Sequence, residues 1–134
     1  VSEQDLTIPE LAAATKAELL KRGWAKNGLY HYESSLEVGM GLCKVCLVGA
    51  AAAACYGDPK RGYDYVDPTY RAFMLAVADE IHGGNGWYDG DRDFTPETLA
   101  HIAVGEVYGW NDAAHRVLFD VIALLDKLAA GGAQ

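Results

Sequence analysis

The sequence is short of cysteine, of positive charge and of long apolar runs, and each shortage removes a class of protein. Three cysteines in 134 residues are an odd number and too few for a disulfide framework. That suits a reducing interior, so a cytoplasmic location is expected. Eleven Lys and Arg against nineteen Asp and Glu leave a net charge of -8 without any basic cluster. Such a surface repels phosphate backbones, and direct nucleic-acid binding is not expected. No apolar stretch reaches the roughly 18 to 20 residues that span a bilayer, because Gly57-Asp58-Pro59-Lys60 closes the most apolar segment too soon. The acidic start Val1-Ser2-Glu3-Gln4-Asp5 has neither the basic nor the apolar region of a signal peptide, so no leader and no membrane association are expected. Phosphate-loop, nucleophile-elbow and H-E-x-x-H spacings are also missing. No spacing argues for an enzyme.

What is present is helical patterning. Hydrophobic residues make up 51% of the chain and charged ones 22%, a globular balance with enough apolar surface for one core. The most apolar segment, Leu42 to Tyr56, contains a run of alanines and one glycine, and a helix smooth on every side belongs in the middle of a fold. The spacing predicts this central helix from about Cys43 to Tyr56. Before it, Thr7-Ile8-Pro9-Glu10 is a capping box opening a helix with Ile8, Leu11, Ala12, Thr15 and Leu19 on one face, ended by Gly23. Asn27-Gly28 and the flanking Leu29 to Tyr32 and Leu36 to Val38 predict a short β-hairpin. After the central helix, Asp67-Pro68 opens a helix carrying Tyr70, Phe73, Met74, Val77 and Ile81, stopped by Gly83-Gly84. Thr95-Pro96 opens another with Leu99, Ile102, Ala103 and Val107, expected to end at Gly109. Asn111 or Asp112 is expected to cap the last, with Val117, Leu118, Val121, Leu124, Leu125 and Leu128 on its apolar face. The expected fold is mainly α: about five helices around a central small-residue helix with a short β-hairpin. It forms a single domain over residues 1–134, loose at 1–5 and 130–134.

Three groups of residues bear on chemistry. Cys43 and Cys46 would share a face at the start of the central helix, where the dipole lowers a thiol pKa, so a thiol-dependent enzyme is one reading. Packing as small hydrophobes is the plainer one, and zinc lacks the second half of its ligand set. Asp89, Asp91 and Asp93 match the first three ligand positions of a calcium loop, with Glu97 at the ninth. Phe94 and Ala100 occupy the places of its turn glycine and its bidentate glutamate, so any calcium site there would be weak, and no other cofactor is expected. Finally, aromatic residues gather beside the loops. Trp87, Tyr88, Trp110 and Tyr63, with Arg61, would line a ligand cleft or partner-binding patch.

Gly23-Trp24, Cys46-Leu47-Val48-Gly49-Ala50, Trp110-Asn111-Asp112 and Leu124 to Ala129, in that order along the chain, resemble a family of small actinobacterial and actinophage proteins carrying a domain of unknown function. The resemblance implies a phage or actinobacterial origin and brings no catalytic residues. The expected function is a non-enzymatic binding module, a phage accessory protein meeting a host protein through its acidic and aromatic surface. The alternatives are a small-molecule or metal binder using the Trp87 to Glu97 loop and a thiol enzyme using Cys43 or Cys46. A homodimer face would be another use of the same apolar surface.

Overall fold

Capping chemistry sets where the helices begin. The computed structural model describes residues 6–84 and 94–131 and holds six α-helices among them: α1 (Ile8–Arg22), α2 (Tyr32–Val38), α3 (Leu47–Tyr56), α4 (Pro68–Ile81), α5 (Pro96–Asp112) and α6 (Leu118–Ala129). Thr7 and Glu10 close a reciprocal capping box on α1, Asp67 accepts from the Thr69 N–H at the start of α4, and Thr95 accepts from that of Thr98 at the start of α5. Each of these three helices carries proline in its first turn, where no N–H is lost. A 3-10 segment, Pro59–Tyr63, follows α3.

Helix α3 is the hub. All its residues from Leu47 to Ala53 are buried, and α1, α4, α5 and the 3-10 segment pack on it. Its small side chains let those neighbours come close on several sides at once. Leu11 and Leu19 of α1, Val48 of α3, Tyr70, Phe73 and Val77 of α4, Val104 and Val107 of α5 and Leu125 of α6 complete one core.

Four boundaries differ from the sequence expectation. Helix α3 begins at Leu47 rather than Cys43, because residues 43–46 run extended between two loop strands. Val45 forms bridges with Trp24 and Tyr30, its N–H donates to Gly23 O at 3.1 Å and its carbonyl accepts from the Ala25 N–H at 2.9 Å. Tertiary pairing decides here, in a stretch where only Lys44 is a strong helix former. The expected hairpin is replaced. Leu29 and Tyr30 border this extended segment, whereas Tyr32–Val38 is helical, capped by the His31 Nδ1 that accepts from the Ser34 N–H at 3.1 Å. Helix α5 continues past Gly109 to Asp112, since a glycine in open space on an exposed helix face weakens a helix without ending it. Asn111 and Asp112 therefore do not cap α6. Val117 occupies that position, its N–H held by Asp120 at 3.0 Å.

The freed Asn111 side chain has a different partner set. It is fully buried, and its Oδ1 accepts from Trp24 Nε1 at 2.7 Å and from the Leu47 N–H at 3.1 Å. Its Nδ2 donates to Ala25 O at 3.2 Å and Asp112 Oδ1 at 2.9 Å. One amide thus satisfies a first-turn N–H of α3 and ties the end of α5 to the loop after α1, using both donors and both lone pairs. The first turn of α3 is sealed further by Leu29, whose carbonyl accepts from the Cys46 N–H at 3.3 Å and lies against Gly49.

Candidate functional site

The first matter is the thiols. Cys43, Cys46 and Cys55 are all buried and free. Cys43 is not helical; its Sγ lies 3.6 Å from Met40 O and 3.7 Å from Met40 Sδ. Cys46 is the N-cap of α3 and accepts from the Gly49 N–H at 3.3 Å, while burial pushes its pKa up to about 11. Burial and the neighbouring Asp67 raise Cys55 to about 12, its thiol donating to that carboxylate at 3.6 Å. The shared helical face that was to activate Cys43 and Cys46 does not exist, and burial outweighs the helix dipole at Cys46. We expect a thiol reagent at neutral pH to leave the folded protein unlabelled and to label all three cysteines on unfolding. Rapid labelling of one native cysteine would contradict this.

The metal expectation falls mostly outside the described residues, as do Trp87 and Tyr88: Asp89, Asp91 and Asp93 lie there, and only Glu97 is seen. Glu97 stands in the first turn of α5, its carboxylate 3.8 Å from Arg71 Nη1. Among the described residues no group of His, Cys, Asp and Glu is placed to hold a metal ion.

The remaining named residues divide between two places. Arg61 is engaged within its own turn, bonding Asp64 through Nε at 2.9 Å and lying 4.0 Å over the Tyr56 ring. Trp110 is half-buried under Arg116, whose guanidinium sits 4.1 Å over the indole and whose Nε donates to Trp110 O at 2.8 Å. Both anchor loops. Tyr63 is different. It is 53% exposed at the end of the 3-10 segment, and its ring meets two side chains of α5, Tyr108 at 5.8 Å in a stacked arrangement and His101 at 6.0 Å. Tyr65 reaches the same imidazole edge-on at 5.7 Å, with its hydroxyl 2.8 Å from His101 Nδ1.

This cluster has a simple local origin. His101 and Tyr108 are seven residues apart on α5 and so share a face. The chain carrying Tyr63 and Tyr65 is pinned beside them, because the Tyr70 hydroxyl donates to Gly62 O at 2.7 Å and Arg71 Nη1 donates to Tyr65 O at 2.6 Å. Trp110, two residues beyond Tyr108, points roughly 200° around the helix from it and belongs to another side. The expected aromatic set is therefore not one cleft among the described residues. Tyr63 belongs to a patch with Tyr65, His101 and Tyr108.

Two tyrosines of the patch are held protonated by burial. Burial, with Tyr63 alongside, raises Tyr65 to about 12, and burial raises Tyr108 further. Tyr65 consequently stays protonated at neutral pH, and its hydroxyl shares a hydrogen bond with His101 Nδ1. Flat ring faces with hydroxyl and imidazole hydrogen bonds suit recognition of a surface. Elsewhere His82 and Glu106 meet at 2.8 Å between α4 and α5, both well exposed. Among the described residues no helix is long and apolar enough to cross a membrane.

A family model matches residues 3–131, the stretch of this chain that holds the core, the Asn111 node and the tyrosine patch. The chain belongs to the family of unknown function DUF6197. No curated protein and no solved structure matches the chain.

Proposed function

We propose that this DUF6197 protein is a non-enzymatic binding module that meets a protein partner through the patch of Tyr63, Tyr65, His101 and Tyr108. The observation that carries the reading is Tyr63, a large aromatic left half in solvent although two rings on α5 offer it a packing place. Tyrosine on a firm framework is the residue type that binding hot spots favour, because its two torsions cost little entropy to fix. The resemblance to actinobacterial and actinophage proteins supports the finer reading, an accessory protein that acts on a protein of an actinobacterial host.

The test is affinity capture from an actinobacterial lysate with the parent chain and with the double variant Tyr63→Ser/His101→Ala. The variant is expected to fold with nearly the parent melting temperature, since both side chains are exposed, and to lose a partner held by the parent, with affinity falling at least about tenfold. A partner held equally by both proteins would move the interface elsewhere.

A further inference from the structure

Helix α2 is amphipathic with the wrong side out. None of its residues is buried. Ser34 and Ser35 are its half-buried positions, with Ser34 Oγ accepting from the Lys44 N–H at 3.0 Å, while Tyr32, Glu33, Leu36, Glu37 and Val38 are exposed. Leu36 stands 68% and Tyr32 63% accessible, and these two are one helical turn apart on the same stripe. Glu33 and Glu37 form a second stripe beside them by the same spacing. Among the described residues neither glutamate makes an ion pair. A helix of two turns is unstable alone, and α2 is held by its His31 cap, the serine contacts and the closing Gly39 rather than by burying its apolar side chains.

We infer that the outer face of α2 is a docking surface for a basic amphipathic segment of a partner protein. Such a segment matches both stripes, with apolar side chains against Tyr32 and Leu36 and lysine or arginine opposite Glu33 and Glu37. The other occupants fit less well. A second copy paired about a twofold axis would set Glu33 and Glu37 against their own counterparts, and the acidic stripe on a chain of net charge -8 repels anionic lipid and nucleic acid alike. This surface is separate from the tyrosine patch and does not depend on it.

The experiment titrates the full chain with two designed helical peptides, one with leucines flanked by lysines and one with the lysines replaced by glutamates, followed by amide NMR shifts. The lysine peptide should shift amides of residues 31–42, saturably and less strongly as salt rises, and the glutamate peptide should not. Leu36→Ser should weaken binding about tenfold or more. Glu33→Lys/Glu37→Lys should reverse the peptide preference. Both sets of substitutions are on the surface and leave the core intact. The Tyr63→Ser/His101→Ala variant should bind the lysine peptide as the parent does, which separates this inference from the tyrosine patch. It is overturned if neither peptide shifts α2, if the α2 variants bind as the parent does, or if the parent self-associates in sedimentation and Leu36→Ser makes it monomeric.

Discussion

Gly49→Ala is expected to destabilise the protein by about 3 kcal/mol or more, roughly 10 °C in melting temperature for a domain of this size. The residue is in the first turn of α3, and a Cβ built there overlaps the carbonyl oxygen of Leu29. That oxygen belongs to backbone and cannot swing aside as a side-chain tip would. It is also the acceptor for the Cys46 N–H at 3.3 Å, so moving it breaks a bond at the helix entrance. Gly49→Leu, with more to accommodate, should be worse, and the obstacle is the Leu29 carbonyl rather than a neighbouring helix. Gly105→Ala is the control. It is exposed within α5 with nothing near its Cβ position, and should gain about 0.5–1 kcal/mol from helix propensity. Urea unfolding of the pair reads both effects. Equal midpoints would remove the close approach of residue 29 to α3.

Asn111→Leu should be comparably damaging, by about 3–4 kcal/mol, although leucine fills a similar volume. The change leaves the Trp24 indole N–H, the Leu47 N–H and the Ala25 carbonyl without their partner, the Leu47 N–H in a fully buried place and the other two half-buried. Leaving a buried donor unpaired costs more than an ordinary hydrogen bond contributes. Asn111→Asp makes the sharper test. It keeps acceptors for Trp24 and Leu47 but loses the donors to Ala25 and Asp112, and it sets a second carboxylate beside Asp112. Burial and that neighbour raise the new carboxyl's folded pKa above its unfolded value, so the variant binds more protons folded than unfolded. Its penalty should shrink as pH falls through that raised pKa and be largest above it. A deficit independent of pH between roughly 4 and 8 would contradict the assigned bonds.

The helical periods of α1, α4 and α5 were legible in the sequence because apolar spacing and N-cap chemistry pointed the same way, and that of α6 because of its apolar spacing alone. Thr7 with Glu10, Asp67 with Pro68 and Thr95 with Pro96 all open helices where expected. The smoothness of the alanine run correctly marked α3 as central. What misled was the stretch before it. Cys43 to Cys46 continue the apolar run that leads into α3, and bonds with Gly23, Ala25, Leu29 and His31, many residues away, set their non-helical course. The same non-local pairing takes Leu29 and Tyr30 away from any hairpin. Asn111 was recognisable as polar and helix-terminal, yet a capping residue and a buried amide node have the same letter, and only the fold distinguishes them.

The tyrosine patch was half visible. Tyr63 stands out as an aromatic beside a loop, and the seven-residue spacing of His101 and Tyr108 could have joined them to one helical face. Their meeting with Tyr63 and Tyr65 depends on how the Tyr70 and Arg71 bonds seat the chain after the 3-10 segment, which no local pattern records. For α2 the spacing reads as part of a β-hairpin, and neither its helical form nor the side it turns to solvent was legible.

The central claim is that the patch around Tyr63 is where this domain meets its partner, and photo-cross-linking tests it most directly. A benzophenone amino acid placed at position 63, and separately at the exposed Ala17 on α1, is irradiated in an actinobacterial lysate. The account predicts a discrete cross-linked protein from position 63 that is absent from position 17 and is competed away by unmodified parent chain. The same product from both positions, or none from position 63, would contradict it.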